Sequence, residues 1–193
     1  MQTKNPSIIA LSTASAVSVT GLAFISPVIL LIKDHYNVSS NEVQLTITIY
    51  LVAICISQVF WGPLSDLIGR RIVLIIGASL FSLGGILASL NLAFEVFIFF
   101  RFLQGIGAAA CLSMPRVMLT ESYGVKKAAA KMSTLLAFMA IFPILSAAFG
   151  GYIGENYGWQ TNFFTLFIFG SIIFLLNFVY SPETIKNKNK RLT

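Results

Sequence analysis

The stretch GPLSDLIGRR, residues 62–71, separates two long apolar runs. Its ten residues include two glycines, a proline, an aspartate and two arginines. Upstream, residues 43–61 carry no charge, and downstream neither do residues 72–92. Each flank has about the 20 apolar residues that a helix needs to cross the hydrocarbon of a bilayer. The stretch therefore reads as a short polar turn between two membrane-spanning helices.

The rest of the chain agrees. Of its 193 residues 56% are hydrophobic and only 10% charged, against roughly a quarter charged in soluble domains. So few polar side chains cannot cover a soluble surface. Backbone groups cannot go unpaired in hydrocarbon, so the spans are helices or barrel strands, and the runs lack the alternation of barrel strands. The expected fold is all-α, with six transmembrane helices at residues 8–32, 43–64, 72–92, 94–118, 130–154 and 163–181, in one domain covering residues 1–193. A basic tail, residues 182–193, follows. The first run is about twice too long for the apolar core of a signal peptide and reads as a retained helix.

Cationic residues orient the bundle. Lys4, Arg70, Arg71, Arg116, Lys126, Lys127, Lys131, Lys186, Lys188, Lys190 and Arg191 fall on one side, and only Lys33 on the other. Both termini are thus expected to be cytoplasmic. The net charge of +6 expresses this topology, and nothing supports a nucleic-acid partner. Trp61 and Trp159 lie near helix ends, where interfacial anchors sit. Cys55 and Cys111 fall inside spans and read as small buried residues, and His35 lies in a hydrophilic connection without a second ligand. Small residues in GIGAAAC (105–111), GGYIG (150–154) and SLGGILAS (82–89) suit close helix packing.

The turn itself asks for more than topology. Arg70 and Arg71 satisfy the positive-inside rule, but Asp66 contributes little to it. Beside a helix N-terminus an aspartate caps free N–H groups and meets the positive end of the dipole. Gly62 and Gly69 suit a backbone that turns sharply or passes close to another element.

With Gly62, Leu64, Ser65, Asp66, Gly69, Arg70 and Arg71 in place, the stretch resembles the signature that the major facilitator superfamily carries between its helices 2 and 3. Leu67 stands where a basic residue is usual. Further segments narrow the resemblance to the Bcr/CflA type of drug:proton antiporter. RFLQGIGAAA (101–110) is similar to that group's helix-4 pattern, and PRVMLTESY (115–123) to its helix-4 exit, with Arg116 and Glu121 five apart. FPILSAAFGGYIGENYGWQTNF (142–163) is similar to the helix-5 antiporter motif, with Pro143, Gly150 and Gly151. SPVI (26–29) and SPET (181–184) also fit. Thr20 and Ala147 depart from it, replacing an acid in helix 1 and a second proline in helix 5.

The resemblance implies half of a transporter, itself a 3+3 inverted repeat, in a bacterial inner membrane. In the family the 2–3 loop is a gate whose Asp and Arg engage the other half. A second six-helix half, from another copy or another chain, is then expected to complete the substrate site. The alternative is a truncated or partner-dependent half without transport of its own. The implied activity is proton-coupled export of drug-like small molecules of the bicyclomycin or chloramphenicol kind. No cofactor is expected. A phosphate-cradling loop is absent, which leaves the proton gradient as the driving force.

Arg101 lies within a span, where a guanidinium costs at least about 2.5–3.5 kcal/mol on insertion scales. It either snorkels outward or sits in a central cavity, with Gln104 and Gly105 beside it, to bind substrate or relay charge. Glu95, six residues away, is too far round the helix to pair with it. Phe24, Tyr50, Phe138 and Phe142 suit the largely apolar wall of a drug pocket. Pro143 is expected to kink its helix and, with the glycine pair, to seal the cavity, unless it is simply tolerated. Hydrolysis within the membrane would need a Ser–His pair, facing aspartates or an HExxH zinc site, and the spans contain none of these, which excludes an intramembrane enzyme.

Overall fold

The computed structural model describes residues 6–185, the side chain of Val125 excepted. Lys4 and the basic tail beyond Ile185 lie outside the described residues. Six helices are long and apolar enough to span a membrane: α1 (Ile8–Tyr36), α2 (Ser40–Ile68), α3 (Arg70–Ala88), α4 (Phe94–Gly124), α5 (Lys126–Tyr157) and α6 (Trp159–Tyr180).

Their ends differ from the hydropathy boundaries for local reasons. α2 begins three residues early because Ser39 and Glu42 form a capping box: the Glu42 N–H donates to Ser39 Oγ, and the Ser39 N–H to the Glu42 carboxylate, satisfying two free donors at once. α2 then continues through Pro63 to Ile68. The supposed seven-residue loop is thus one residue, Gly69, with φ +119°. The α4–α5 connection shrinks in the same way to Gly124 (φ +70°), and the α5–α6 connection to Gly158 (φ +86°). Positive φ is open to glycine and costly for other residues, so a single glycine reverses or redirects each chain segment. α1 bends in its middle, where a 3₁₀ turn at Ser26–Val28, containing Pro27, separates helices Ile8–Ala23 and Ile29–Tyr36.

The helices pack through small residues. A Cβ on Gly105 of α4 would strike the Tyr50 carbonyl of α2, and one on Gly150 of α5 would strike the Phe24 carbonyl of α1. Gly77 and Gly107 bring α3 and α4 together, and Gly85 and Gly170 bring α3 against α6. α1 therefore leans on α5 as α4 leans on α2, while α3 and α6 pair with each other. This exchange of α1–α3 with α4–α6 is the pattern that an inverted repeat produces. Across the repeat, α2 and α5 leave broad apolar faces uncovered, including Val59 and Phe60 on α2 and Ile144 and Phe149 on α5.

Two sequence expectations change at this level. Trp61 and Trp159 are buried, so neither is an interfacial anchor. Trp61 Nε1 donates to the Ile106 carbonyl at 2.9 Å, and Trp159 packs among His35, Tyr36, Phe97 and Phe163. His35 Nε2 lies 2.5 Å from Asn91 Oδ1. Cys55 is exposed on α2, whereas Cys111 is buried.

The contacts predict opposite outcomes for two glycines. Gly107→Ala drives a methyl into the backbone of Gly77 and Phe81 and is expected to cost about 1–3 kcal/mol. Gly62→Ala meets nothing within 4 Å, and in a helix the change is expected to be neutral or to stabilise by up to about 1 kcal/mol. Thermal unfolding followed by tryptophan fluorescence separates the two.

Candidate functional site

The last turn of α2 and the first of α3 meet at Gly69, and the side chains around it form a cluster. Arg70, buried, pairs across the break with Asp66 one turn earlier. Its guanidinium also reaches Glu121 on α4, with Nε and Nη2 3.3 and 3.2 Å from Oε1. It donates further to the Ser65 hydroxyl and, at 3.4 Å, to the Gly62 carbonyl. Glu121 Oε2 accepts from Thr184 Oγ1 at 2.7 Å. Beyond α6, Glu183 Oε1 accepts the backbone N–H of Arg70 at 3.0 Å, and its Oε2 fills the space that a Cβ on Gly69 would need. Arg71 Nη2 donates to the Phe178 carbonyl at 2.6 Å and stacks over the Phe178 ring.

This geometry bears on several expectations. The charges of the 2–3 connection grip α4, α6 and the segment after α6 within this same half. Asp66 engages Arg70, and the carboxylate at the N-terminus of α3 belongs to Glu183. Of the two helix-4 exit residues, Arg116 is exposed beside Met139 Sδ at 3.4 Å, while Glu121 joins the Arg70 cluster. Gly62 is a helical residue with open space above it, and its contribution is a carbonyl acceptor. Gly69 is required twice, by its φ and by Glu183.

Arg101 neither snorkels nor faces a cavity. It is fully buried among α1, α2, α4 and α6. Its Nε donates to the Thr46 carbonyl at 3.2 Å, and Nη1 to the Gly21 carbonyl and Gln104 Oε1 at 3.4 and 2.5 Å. The guanidinium lies 4.4 Å from the Tyr50 ring centroid and 5.5 Å from that of Phe163. Aromatic faces and helix carbonyls thus take the place of an acidic partner. Arg101 Nη2, Gln104 Nε2 and Thr46 Oγ1 have no partner among the described residues. Tyr50 is likewise no pocket residue, being buried with its hydroxyl donating to the Ser18 carbonyl at 2.7 Å. Gly105 brings α2 and α4 together beneath this pair.

A cavity of about 290 Å³ lies between α1, α5 and α6. Phe24 and Phe142 form part of its wall with Thr20, Ser146, Phe149 and Phe169. Phe138 stacks on Phe142, centroids 5.5 Å apart, without being part of the wall. Beside it, Asn162 Nδ2 donates to the Phe24 and Gly150 carbonyls at 3.1 and 2.9 Å, tying the bend of α1 to α5. Helical backbone continues through Pro143, and the one non-helical residue between Phe94 and Tyr157 is Gly124. Gly151 has ordinary contact with Pro27 at 3.6 Å, so Gly150 alone of the pair sets the close approach.

Glu183, Asn162 and Ser146 were not singled out from sequence. Glu183 lay in plain view in SPET, and an amide at the start of an apolar span, such as Asn162, is a signal in its own right because polar groups there need partners.

The family model described as Major Facilitator Superfamily matches residues 11–192. The multidrug resistance protein MdtL of Escherichia coli O81 (strain ED1a) is 30% identical over 153 residues, which are 79% of this chain and 39% of that protein. The bicyclomycin resistance protein homolog of Haemophilus influenzae is 27% identical over 183 residues, 95% of this chain and 46% of that protein. Among solved structures, a D-xylose–proton symporter superimposes with a TM-score of 0.81 at 16% identity, covering 92% of this chain and 48% of its own. The chain thus spans two fifths to about half the length of the relatives it matches.

Proposed function

The chain belongs to the Major Facilitator Superfamily and is an integral, multi-pass membrane protein, and from this premise we propose that it exports small, largely apolar compounds as one half of a proton-driven transporter. The observation that carries the reading is the cavity between α1, α5 and α6. It joins Phe24 and Phe142, 118 positions apart in sequence, in one largely apolar wall, the kind of wall that drug-sized ligands occupy. The cluster around Arg70 supports it as a latch, fastening four parts of the half at the end where α2 meets α3. The names of the relatives point to bicyclomycin as a first substrate to try.

The second half is seated on the uncovered faces of α2 and α5. No Asp or Glu lies in the middle of a span, so the carboxylate that carries the coupled proton belongs to that second half.

The test is bicyclomycin-dependent proton flux in proteoliposomes under an imposed pH gradient. Flux that rises steeply with the protein-to-lipid ratio, and disappears in Phe142→Trp, is the expected result for a working pair of copies. Flux only after a second half is co-reconstituted assigns the partner to another chain. Absence of flux in both preparations, from folded protein, rejects transport.

A further inference from the structure

The charge around the cavity points to the class of compound it accepts, and this rests on the reading of the cavity as the substrate site. None of the residues in its wall is charged: Thr20, Phe24, Phe142, Leu145, Ser146, Phe149, Ile153, Thr165, Leu166 and Phe169. A buried cation is bonded to the turn of α1 that carries Thr20. Arg101 donates to the Gly21 carbonyl at 3.4 Å, one residue from Thr20 in the wall.

The seven acidic residues of the chain are Asp34, Glu42, Asp66, Glu95, Glu121, Glu155 and Glu183, and each lies near or beyond a helix end. Arg101 therefore has no counter-ion among the described residues, and in a low-dielectric interior its field reaches far. Phenyl faces do attract cations. The phenyl rings of the wall, Phe24, Phe142, Phe149 and Phe169, offer a cation that modest attraction, and the uncompensated charge of Arg101 opposes it.

Anions fare little better, because the wall offers few donors. Thr20 Oγ1 donates to the Ala16 carbonyl at 2.9 Å and Thr165 Oγ1 to the Thr161 carbonyl at 2.8 Å. Both hydroxyls are spent on their own helices. Ser146 is the wall hydroxyl left for a ligand, and Leu145 and Phe149, both exposed, mark the way in.

We infer that the cavity selects uncharged lipophiles carrying a hydrogen-bond acceptor, which Ser146 holds, and that it rejects lipophilic cations of the same shape.

Triphenylphosphine oxide and methyltriphenylphosphonium are a matched pair for the test: nearly the same shape, one neutral with an acceptor oxygen, the other cationic. Binding of each, radiolabelled, is measured on the chain in phosphatidylcholine nanodiscs, with empty nanodiscs subtracted. The expected result is saturable binding of the oxide and at least about tenfold weaker binding of the phosphonium. Phe142→Trp, which fills the cavity, should abolish oxide binding. Leu145→Trp closes the same cavity from its rim and keeps the test open if the first variant does not fold. Ser146→Asp, placing a carboxylate in the wall, should reverse the preference.

Phosphonium binding as tight as the oxide would overturn the charge selectivity and leave the cavity standing as the substrate site. Saturable binding of neither probe, or of both but unaffected by the three substitutions, would overturn the site and the selectivity together.

Discussion

Arg101→Met should leave the fold as stable as before, or more so, and abolish the transport proposed for it. Arg101 is the largest fully buried side chain in the bundle, and it has no acidic partner. A buried charge satisfied only by carbonyls and ring faces has given up its hydration for modest returns. Replacing buried charged groups by apolar residues of similar volume is often neutral or stabilising, by up to about 4 kcal/mol. Methionine is flexible enough to follow the channel that the arginine stem occupies. Arg101→Ala is the necessary contrast. It leaves a large void between Tyr50 and Phe163, and voids of this kind cost about 2–5 kcal/mol, a fall of roughly 10 °C in thermal midpoint for a domain of this size. If arginine served only to fill space, Met would restore both stability and bicyclomycin-dependent flux. The expected split, with stability kept and flux at the level of empty vesicles, assigns the residue to function. A midpoint that falls as far in Met as in Ala would show instead that the hydrogen bonds to Thr46, Gly21 and Gln104 hold the bundle together. Arg101→Lys sharpens the point, because it keeps the charge but loses the planar fork that reaches all three at once.

The same residue shows what sequence could and could not supply. That a guanidinium inside a span has a purpose follows from its insertion cost, and the run RFLQG shows where it is. Its environment does not follow, because hydropathy gives the length of a helix and not the face it turns to each neighbour. Tyr50 and Phe24 looked alike as pocket aromatics, yet one clasps Arg101 and the other lines a cavity with Phe142. Residues 62–71 divide in the same manner. Their types announced a reversal between two spans. The reversal is one residue rather than seven because Gly69 alone can hold φ +119°, and helical hydrogen bonding runs up to it on either side. Sequence distance hid the rest: Glu121 and Glu183 lie 51 and 113 positions from Arg70, beyond the reach of any spacing rule.

Arg70→Ala should be among the most damaging substitutions at the cytoplasmic end, and Glu183 should show why. Arg70 binds Asp66 and Glu121 through its guanidinium, with Glu183 on its backbone N–H. Removing the side chain takes a guanidinium from Asp66 on α2 and Glu121 on α4, while the backbone N–H that Glu183 accepts stays in place. Asp66 and Glu121 are partly exposed, so the lost charged hydrogen bonds are expected to cost about 1.5–3 kcal/mol, roughly 5–10 °C in thermal midpoint. Adding Glu121→Gln to Arg70→Ala should return part of that loss, since the amide keeps the shape and sheds the orphaned charge. Gly69 and Glu183 supply an independent check. Gly69→Ala meets both a costly φ and the Glu183 carboxylate, whereas in Glu183→Ala the carboxylate is gone and only the backbone penalty, of order 1–3 kcal/mol, remains for Gly69→Ala. The two changes should therefore be less than additive when combined. Strict additivity of their midpoint shifts would mean that Glu183 does not sit in the space above Gly69, and would release the segment after α6 from the latch.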